Sequence, residues 1–146
     1  MRDEGTRLLH WVLALVVGLN LLVLEEGSDV HRAAGYLGAV AMVVRGLWGR
    51  RGLVPFGNLP SVAANRWAAL VAGGIWACIA GLAVTGWMLG LDAYFGEEWL
   101  EEAHEVISHV LTVLVLLHVA GLITDGVRHR RHTWLSMVTG KAPEPR

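Results

Sequence analysis

The chain has 146 residues, of which 54% are hydrophobic, with seven Trp and a formal net charge of −1 at pH 7. Its mean hydropathy of +0.48 exceeds that of an ordinary soluble domain, which indicates lipid surroundings. The single Cys78 excludes a disulfide framework, and the absence of a CxxCH motif excludes covalently attached c-type haem. No motif for nucleic acid binding, phosphate binding or a Ser/His/Asp triad is present.

Four apolar runs predict four membrane-spanning helices. The first covers residues 8–24 and follows basic residues, but no small-residue cleavage site follows it, so we expect a retained span rather than a signal peptide. The others cover residues 31–48, 67–91 and 103–124. No proline interrupts any of these runs, so the helices need not be broken.

Charged residues predict how the spans are oriented. Eleven of the twelve Lys and Arg lie in the N-terminus, in residues 45–66 or in the tail, and Arg32 is the exception. Nine of the thirteen acidic residues lie in 25–29 and 92–105. The positive-inside rule therefore places both termini in the cytoplasm. Five tryptophans at the ends of the runs agree, the first three at the inner boundary and the last two at the outer: Trp11, Trp48, Trp67, Trp87 and Trp99.

Four histidines fall at two depths in this arrangement. His104 and His118 are fourteen residues apart in the last run, so on a helix they share nearly one face about 21 Å apart. His31 begins the inward second span and is an outer residue like His104, whereas His10 begins the outward first span and is an inner residue like His118. Ionisable groups at membrane depth usually belong to functional sites. This pattern predicts an all-α four-helix bundle with two stacked b-type haems, each held by two imidazoles from different helices.

The neighbours of these histidines agree with that interpretation. A small residue follows each one within a turn, which would let helices approach a flat porphyrin: Ala14, Gly35, Ser108 and Gly121. Arg45 lies at the inner level and is a candidate partner for a haem propionate, although snorkelling to the inner headgroups is an equal alternative. His109 is turned off the face of His104, and we assign it to an interhelical or outer-surface position. Asn20 is expected to form an interhelical hydrogen bond.

The third span has no histidine and is expected to be scaffold. Five small residues at four-residue spacing predict a face for close helix packing: Ala69, Gly73, Ala77, Gly81 and Thr85.

Several motifs together resemble one family, the bacterial cytochrome b561 and Ni,Fe-hydrogenase cytochrome b group. The start TRLLHW resembles the RxxHW motif of that family, and DVHRAAGYLGAVAMVVRGLWG resembles its second helix, which carries HRxxGY. The segment AHEVISHVLTVLVLLHVAGL resembles its fourth helix, with the HE and LHVxG motifs, and WLSMVTGK resembles its C-terminal SMxTGxK motif. The resemblance implies a four-span domain over residues 1–140 and a cytoplasmic tail over 141–146. It also implies haem ligation by the same four histidines.

The same resemblance implies a role in the bacterial inner membrane. Electrons would pass between a periplasmic partner, such as a c-type cytochrome or an oxidoreductase subunit, and the quinone pool, so a quinone is a further expected ligand. Two axial imidazoles fill the iron coordination sphere, which favours an electron-transfer subunit over a free-standing oxidoreductase. The acidic outer face would steer a basic partner or would simply be solvated.

Two alternatives stay open at this point. A membrane quinol oxidoreductase acting without a partner would use the same ligands. A histidine-relay proton or metal transporter would use the histidines differently, but such transporters tend to have discontinuous helices, and these spans contain no proline.

Overall fold

The computed structural model describes residues 2–51 and 66–129. Within them the chain forms four α helices: α1 (Arg2–Leu22), α2 (Asp29–Arg51), α3 (Arg66–Leu89) and α4 (Glu98–His129). A short 3-10 helix, Asp92–Tyr94, lies between α3 and α4, and the described residues contain no strand. The all-α prediction is confirmed. The predicted tail over 141–146 lies outside the described residues.

The turn between α1 and α2, called the first outer turn after its predicted side of the membrane, positions His31. Gly27 adopts a positive φ of 76°, which costs least for a residue without a Cβ. The Ser28 hydroxyl accepts a hydrogen bond from the backbone N–H of His31 at 3.2 Å, so Ser28 caps α2. Because Asp29 lies in the first turn, its carboxylate also favours the helix N-terminus. His31 is therefore held in the first turn of α2.

The second outer turn begins α4 in a similar way. Gly96 has a positive φ of 77°. The backbone N–H groups of Leu100 and Glu101 donate to the Glu97 carbonyl at 3.0 and 3.3 Å, which closes the first turn of the helix. Glu98 and Glu101 add acidic groups at this N-terminus. The helix thus starts before the apolar run, because capping and charge extend it beyond the segment that hydropathy detects.

The helices pack as two hairpins, α1 with α2 and α3 with α4, which meet through α2 and α3. Short connections place each pair side by side, as in an up-and-down bundle. Helices α3 and α4 are in contact at Gly81, where a Cβ would meet the Cδ1 of Ile107 at an ordinary van der Waals distance of 3.4 Å.

The packing face predicted for α3 differs from the observed one. Of its five small residues, Gly81 and Thr85 contact α4, whereas Ala69, Gly73 and Ala77 are exposed. The reason is geometric: a four-residue step rotates by about 40° on a helix, so positions sixteen residues apart lie about 160° apart. The prediction of one continuous face was wrong.

The exterior of the helices is strongly apolar. Few side chains are buried between the helices: Leu13, Val16, Ala41, Leu100 and Leu111. Large apolar side chains are exposed on every helix, which is typical of contact with lipid rather than water. Among the described residues, α3 over Arg66–Leu89 and α4 over Glu98–Thr124 are long and apolar enough to cross a membrane, and α1 has a shorter apolar stretch, Arg7–Leu22.

Candidate cofactor sites between the helices

The outer histidine pair lies between α2 and α4. The ring centroids of His31 and His104 are 6.3 Å apart, and the ring planes are inclined by 64°. An imidazole nitrogen lies about 2 Å from a metal that it binds, so two imidazoles on opposite sides of one metal have centroids about 6 to 6.5 Å apart. The separation of these two rings fits a shared metal ion.

A cavity of about 670 Å³ surrounds this pair. All four helices line it, with Val16 on α1, Gly35 on α2, Leu82 on α3 and Ser108 on α4 among the contributors. Its volume is within the range of about 300 to 1,000 Å³ that is usual for small-molecule and cofactor sites. Nothing lies within 4 Å of the Cβ position of Gly35, so the wall is open beside His31.

Two polar atoms in this cavity are buried without a hydrogen-bond partner in the described part of the chain. They are the Oδ1 of Asn20 and the Nδ1 of His31. Asn20 therefore does not form the predicted interhelical hydrogen bond through its Oδ1. A buried polar atom without a partner is uncommon and often marks a site that a ligand or water completes.

Helix α3 touches the outer pair through two residues that the sequence interpretation assigned to scaffold. The Thr85 Oγ1 lies 2.7 Å from the Nδ1 of His104. A Cβ at Gly86 would lie 3.3 Å from the Cε1 of His104, so only glycine lets the ring lie this close to α3. A hydroxyl within an apolar span was the sequence feature that could have pointed to Thr85. No sequence feature distinguishes Gly86 from the other glycines.

The mouth of the cavity is polar. The Nη2 of Arg32 and the hydroxyl oxygen of Tyr36 approach the Cβ position of Gly90 to 3.3 and 3.6 Å. Arg32 also lies 3.8 Å from the Asp29 carboxylate. A cationic and a hydroxyl group therefore converge at the outer rim, on residues that line the cavity.

The inner histidine pair lies near Arg45. His10 is close enough to both His118 and Arg45 to interact with them electrostatically. The ring of His10 also meets that of Trp11 edge to face, with centroids 5.8 Å apart. His118 on α4 and Arg45 on α2 are thus both electrostatic neighbours of His10 on α1. His109 is exposed and belongs to neither pair.

The donor groups of the outer pair suit haem b. Among the described residues, no group of three or more His, Cys, Asp or Glu side chains converges as a metal site would require. Two facing imidazoles are, however, a complete axial ligand set for a haem iron, because the porphyrin supplies the other nitrogens. The residues present therefore fit this cofactor.

Comparison with known proteins agrees with the resemblance drawn from the motifs. The family model described as prokaryotic cytochrome b561 matches residues 2–140. No curated protein and no solved structure matches the chain. The family is membrane-bound, and it implies haem b binding and b-type cytochrome electron transfer. Because the family match spans almost the entire sequence, this chain belongs to the prokaryotic cytochrome b561 family.

Proposed function

We propose that this protein is a dihaem membrane cytochrome that passes electrons between a periplasmic redox partner and the quinone pool of the bacterial inner membrane. The observation that supports it best is the outer histidine pair, whose rings stand 6.3 Å apart across a cavity lined by all four helices. The electrostatic proximity of His10 to His118 at the other end of the bundle supports a second pair there.

In this proposal each haem is held by one pair of imidazoles. His31 and His104 are the ligands of the outer haem, and His10 and His118 those of the inner one. When bound, each haem would supply reversible one-electron redox chemistry. The chain positions the ligands and encloses them in an apolar wall.

Other residues hold the periphery of each haem. Gly35 leaves the wall open beside the outer haem, because no atom lies within 4 Å of its Cβ position. Arg32 and Tyr36 form a rim that suits the outer haem's propionates, and Arg45 suits a propionate at the inner level. Guanidinium groups match carboxylates well in both charge and geometry.

The proposal places four spans in the membrane with both termini in the cytoplasm. Two helices meet the length and hydropathy of a span, and exposed apolar side chains on α1 and α2 support the other two. Trp67, Trp87 and Trp99 are exposed near helix ends, as expected for side chains at the membrane interfaces. Trp11 is also exposed, near the middle of α1 but close to the start of the first apolar run. The side chain of Trp48 lies outside the described part of the structure.

The outer surface favours a basic partner. Glu26, Glu98, Glu101, Glu102 and Glu105 are all exposed around the outer turns. A surface of one sign accelerates association with a partner of opposite charge at low salt. A basic c-type cytochrome or oxidoreductase subunit is the proposed donor or acceptor at this face, and the quinone is proposed to exchange electrons with the bundle within the membrane.

A pyridine haemochrome assay on the purified protein tests the proposal directly. We expect two haems b per chain and two one-electron steps in a redox titration. A colourless protein that moves protons or metal ions across liposomes would overturn it in favour of a transporter. Quinol oxidation by the purified protein with a small oxidant and no partner would instead identify a free-standing oxidoreductase.

A further inference from the structure

We propose that Thr85 is a positioning residue that fixes the proton of His104 on Nδ1 and thereby presents Nε2 to the outer haem iron. The tautomer of His104 is a property of the protein alone, whereas the presentation of Nε2 to an iron rests on the proposed function.

The position of the protons follows from two distances. The Thr85 Oγ1 lies 2.9 Å from the Gly81 carbonyl oxygen and 2.7 Å from the His104 Nδ1. A carbonyl oxygen can only accept, so the single hydroxyl hydrogen is donated to Gly81. The Thr85 oxygen then accepts from the Nδ1–H of His104. A neutral imidazole has one N–H, so its Nε2 keeps a free lone pair.

The opposite direction of the hydrogen bond, from the Thr85 hydroxyl to the Nδ1 of His104, is less favourable. If the Thr85 hydroxyl donated to Nδ1, its oxygen would face the Gly81 carbonyl at 2.9 Å without a hydrogen between them. The carbonyl would lose a bond, and two lone pairs would be placed against each other. A back-bonded threonine on a helix ordinarily donates to the carbonyl four residues earlier.

The same helix also fixes where the ring lies. A Cβ at Gly86 would lie 3.3 Å from the Cε1 of His104 and 3.9 Å from its Nδ1. The imidazole thus rests against the α3 backbone beside the threonine. Contact with Gly86 sets the ring position, and the Thr85 hydroxyl sets the rotation and the tautomer.

This support is given to one ligand of the pair only. The Nδ1 of His31 has no hydrogen-bond partner in the described residues. A hydrogen bond to the distal N–H of a metal-bound imidazole raises the basicity of the ligand and stabilises the oxidised metal. Thr85 should therefore lower the reduction potential of the outer haem without acting on the inner one.

The variants that test this are Thr85→Val, which keeps the shape and removes the hydroxyl, and Thr85→Ser, which retains the hydroxyl. Thr112→Val is a matched control, since its hydroxyl donates to the Ser108 carbonyl at 2.9 Å without contacting a histidine in the structure. In a redox titration of the full-length protein, Thr85→Val should raise the reduction potential of the outer haem by about 30 mV. For a one-electron couple this shifts the ferric-to-ferrous ratio about threefold toward ferrous. Thr85→Ser and Thr112→Val should leave it near the wild-type value.

A second measurement reads the tautomer without the haem. Imidazole ¹⁵N NMR of histidine-labelled apoprotein should show His104 protonated on Nδ1, with this state lost in Thr85→Val and restored in Thr85→Ser. An Nε2-protonated His104 in the wild-type apoprotein overturns the inference, and so does an outer potential unchanged by Thr85→Val. A wild type that has the Nδ1 tautomer but takes up no haem would refute the proposed function and leave the Thr85–His104 bond standing. If Thr85→Ser shifted the outer potential as far as Thr85→Val, the hydroxyl would not be what matters, and the inference would also fail.

Discussion

The two ends of the bundle present the same ligand pair in different surroundings. At the outer end, His31 and His104 share a cavity whose nearby polar groups include the Thr85 hydroxyl and the Asn20 amide. At the inner end, His10 and His118 lie beside the guanidinium of Arg45. The Thr85 hydroxyl would tune its ligand through hydrogen bonding, whereas the Arg45 charge would act on the iron through its field. Two chemically equal ligand sets would therefore acquire different potentials.

The two ends also differ in how their ligands are held. The backbone N–H of His31 is tied to the Ser28 cap, and His104 rests on α3 through Thr85 and Gly86. For the inner pair, the ring neighbour of His10 is the adjacent Trp11 on the same helix. The comparison teaches that α3, although it has no histidine, supports one site directly.

The largest expected effect comes from removing one ligand at each end. His104→Ala should eliminate the outer haem and His118→Ala the inner one, because an iron with a single axial imidazole is held much less tightly. Haem content by pyridine haemochrome should fall from about two to about one per chain in each variant. The reduced-minus-oxidised spectrum should lose a different component in each.

His109→Ala is the matched control for both variants. His109 lies on the same helix, is exposed and belongs to neither pair, so its haem content should equal that of the wild type. Retention of both haems in His104→Ala and in His118→Ala would contradict the ligand assignment. Loss of both haems in either variant would mean that the two ends do not bind independently.

Sequence was sufficient for the helices and for the proximity of His31 to His104, because both depend on regular geometry. Hydropathy and the absence of internal proline predicted four unbroken helices, and counting depth paired His31 with His104. The structure brings those rings together, while ligation of iron by them stays a prediction. The observed helices begin earlier or end later than the apolar runs in most cases, because caps such as Ser28 lie outside the apolar segment.

The contacts of α3 could not be predicted in the same way. Which α3 residues face α4 depends on the rotation of the helix about its axis, and regular spacing in a helix apolar on all sides does not fix that rotation. Thr85 and Ala69 were therefore placed on one face, although only Thr85 reaches α4. The electrostatic neighbours of His10 required the fold, since Arg45 was equally compatible with snorkelling to the headgroups.

A smaller effect is expected where α3 approaches the outer ligand. Gly86→Ala adds a methyl group 3.3 Å from the Cε1 of His104, which must shift by a few tenths of an ångström. We expect the outer haem to dissociate several-fold faster, measured by transfer to apomyoglobin, with the inner haem unaffected. Gly73→Ala on the same helix is the control, because nothing lies within 4 Å of its Cβ position. Replacing glycine by alanine stabilises a helix by about 0.5 to 1 kcal/mol in both variants. Equal rates of outer-haem dissociation would therefore show that the contact between residue 86 and the His104 ring is unimportant.

The smallest expected effect concerns the charge beside the inner pair. A ferric haem has one more positive charge than a ferrous one, so a nearby guanidinium disfavours the ferric form and raises the potential. Arg45→Gln should therefore lower the potential of the inner haem. Two unit charges about 10 to 15 Å apart at an effective dielectric of about 20 interact by on the order of 1 kcal/mol, which is about fivefold in the ferric-to-ferrous ratio.

Arg32→Gln distinguishes this effect from a general loss of positive charge. Arg32 lies at the outer rim near Asp29, so its replacement should act on the outer haem and leave the inner potential unchanged. Arg45→Lys keeps the charge and should restore most of the inner potential if the field is what matters. If Arg45→Lys lowered the potential as far as Arg45→Gln, the guanidinium would act through directed hydrogen bonds, and the charge of Arg45 would not account for a difference between the two potentials.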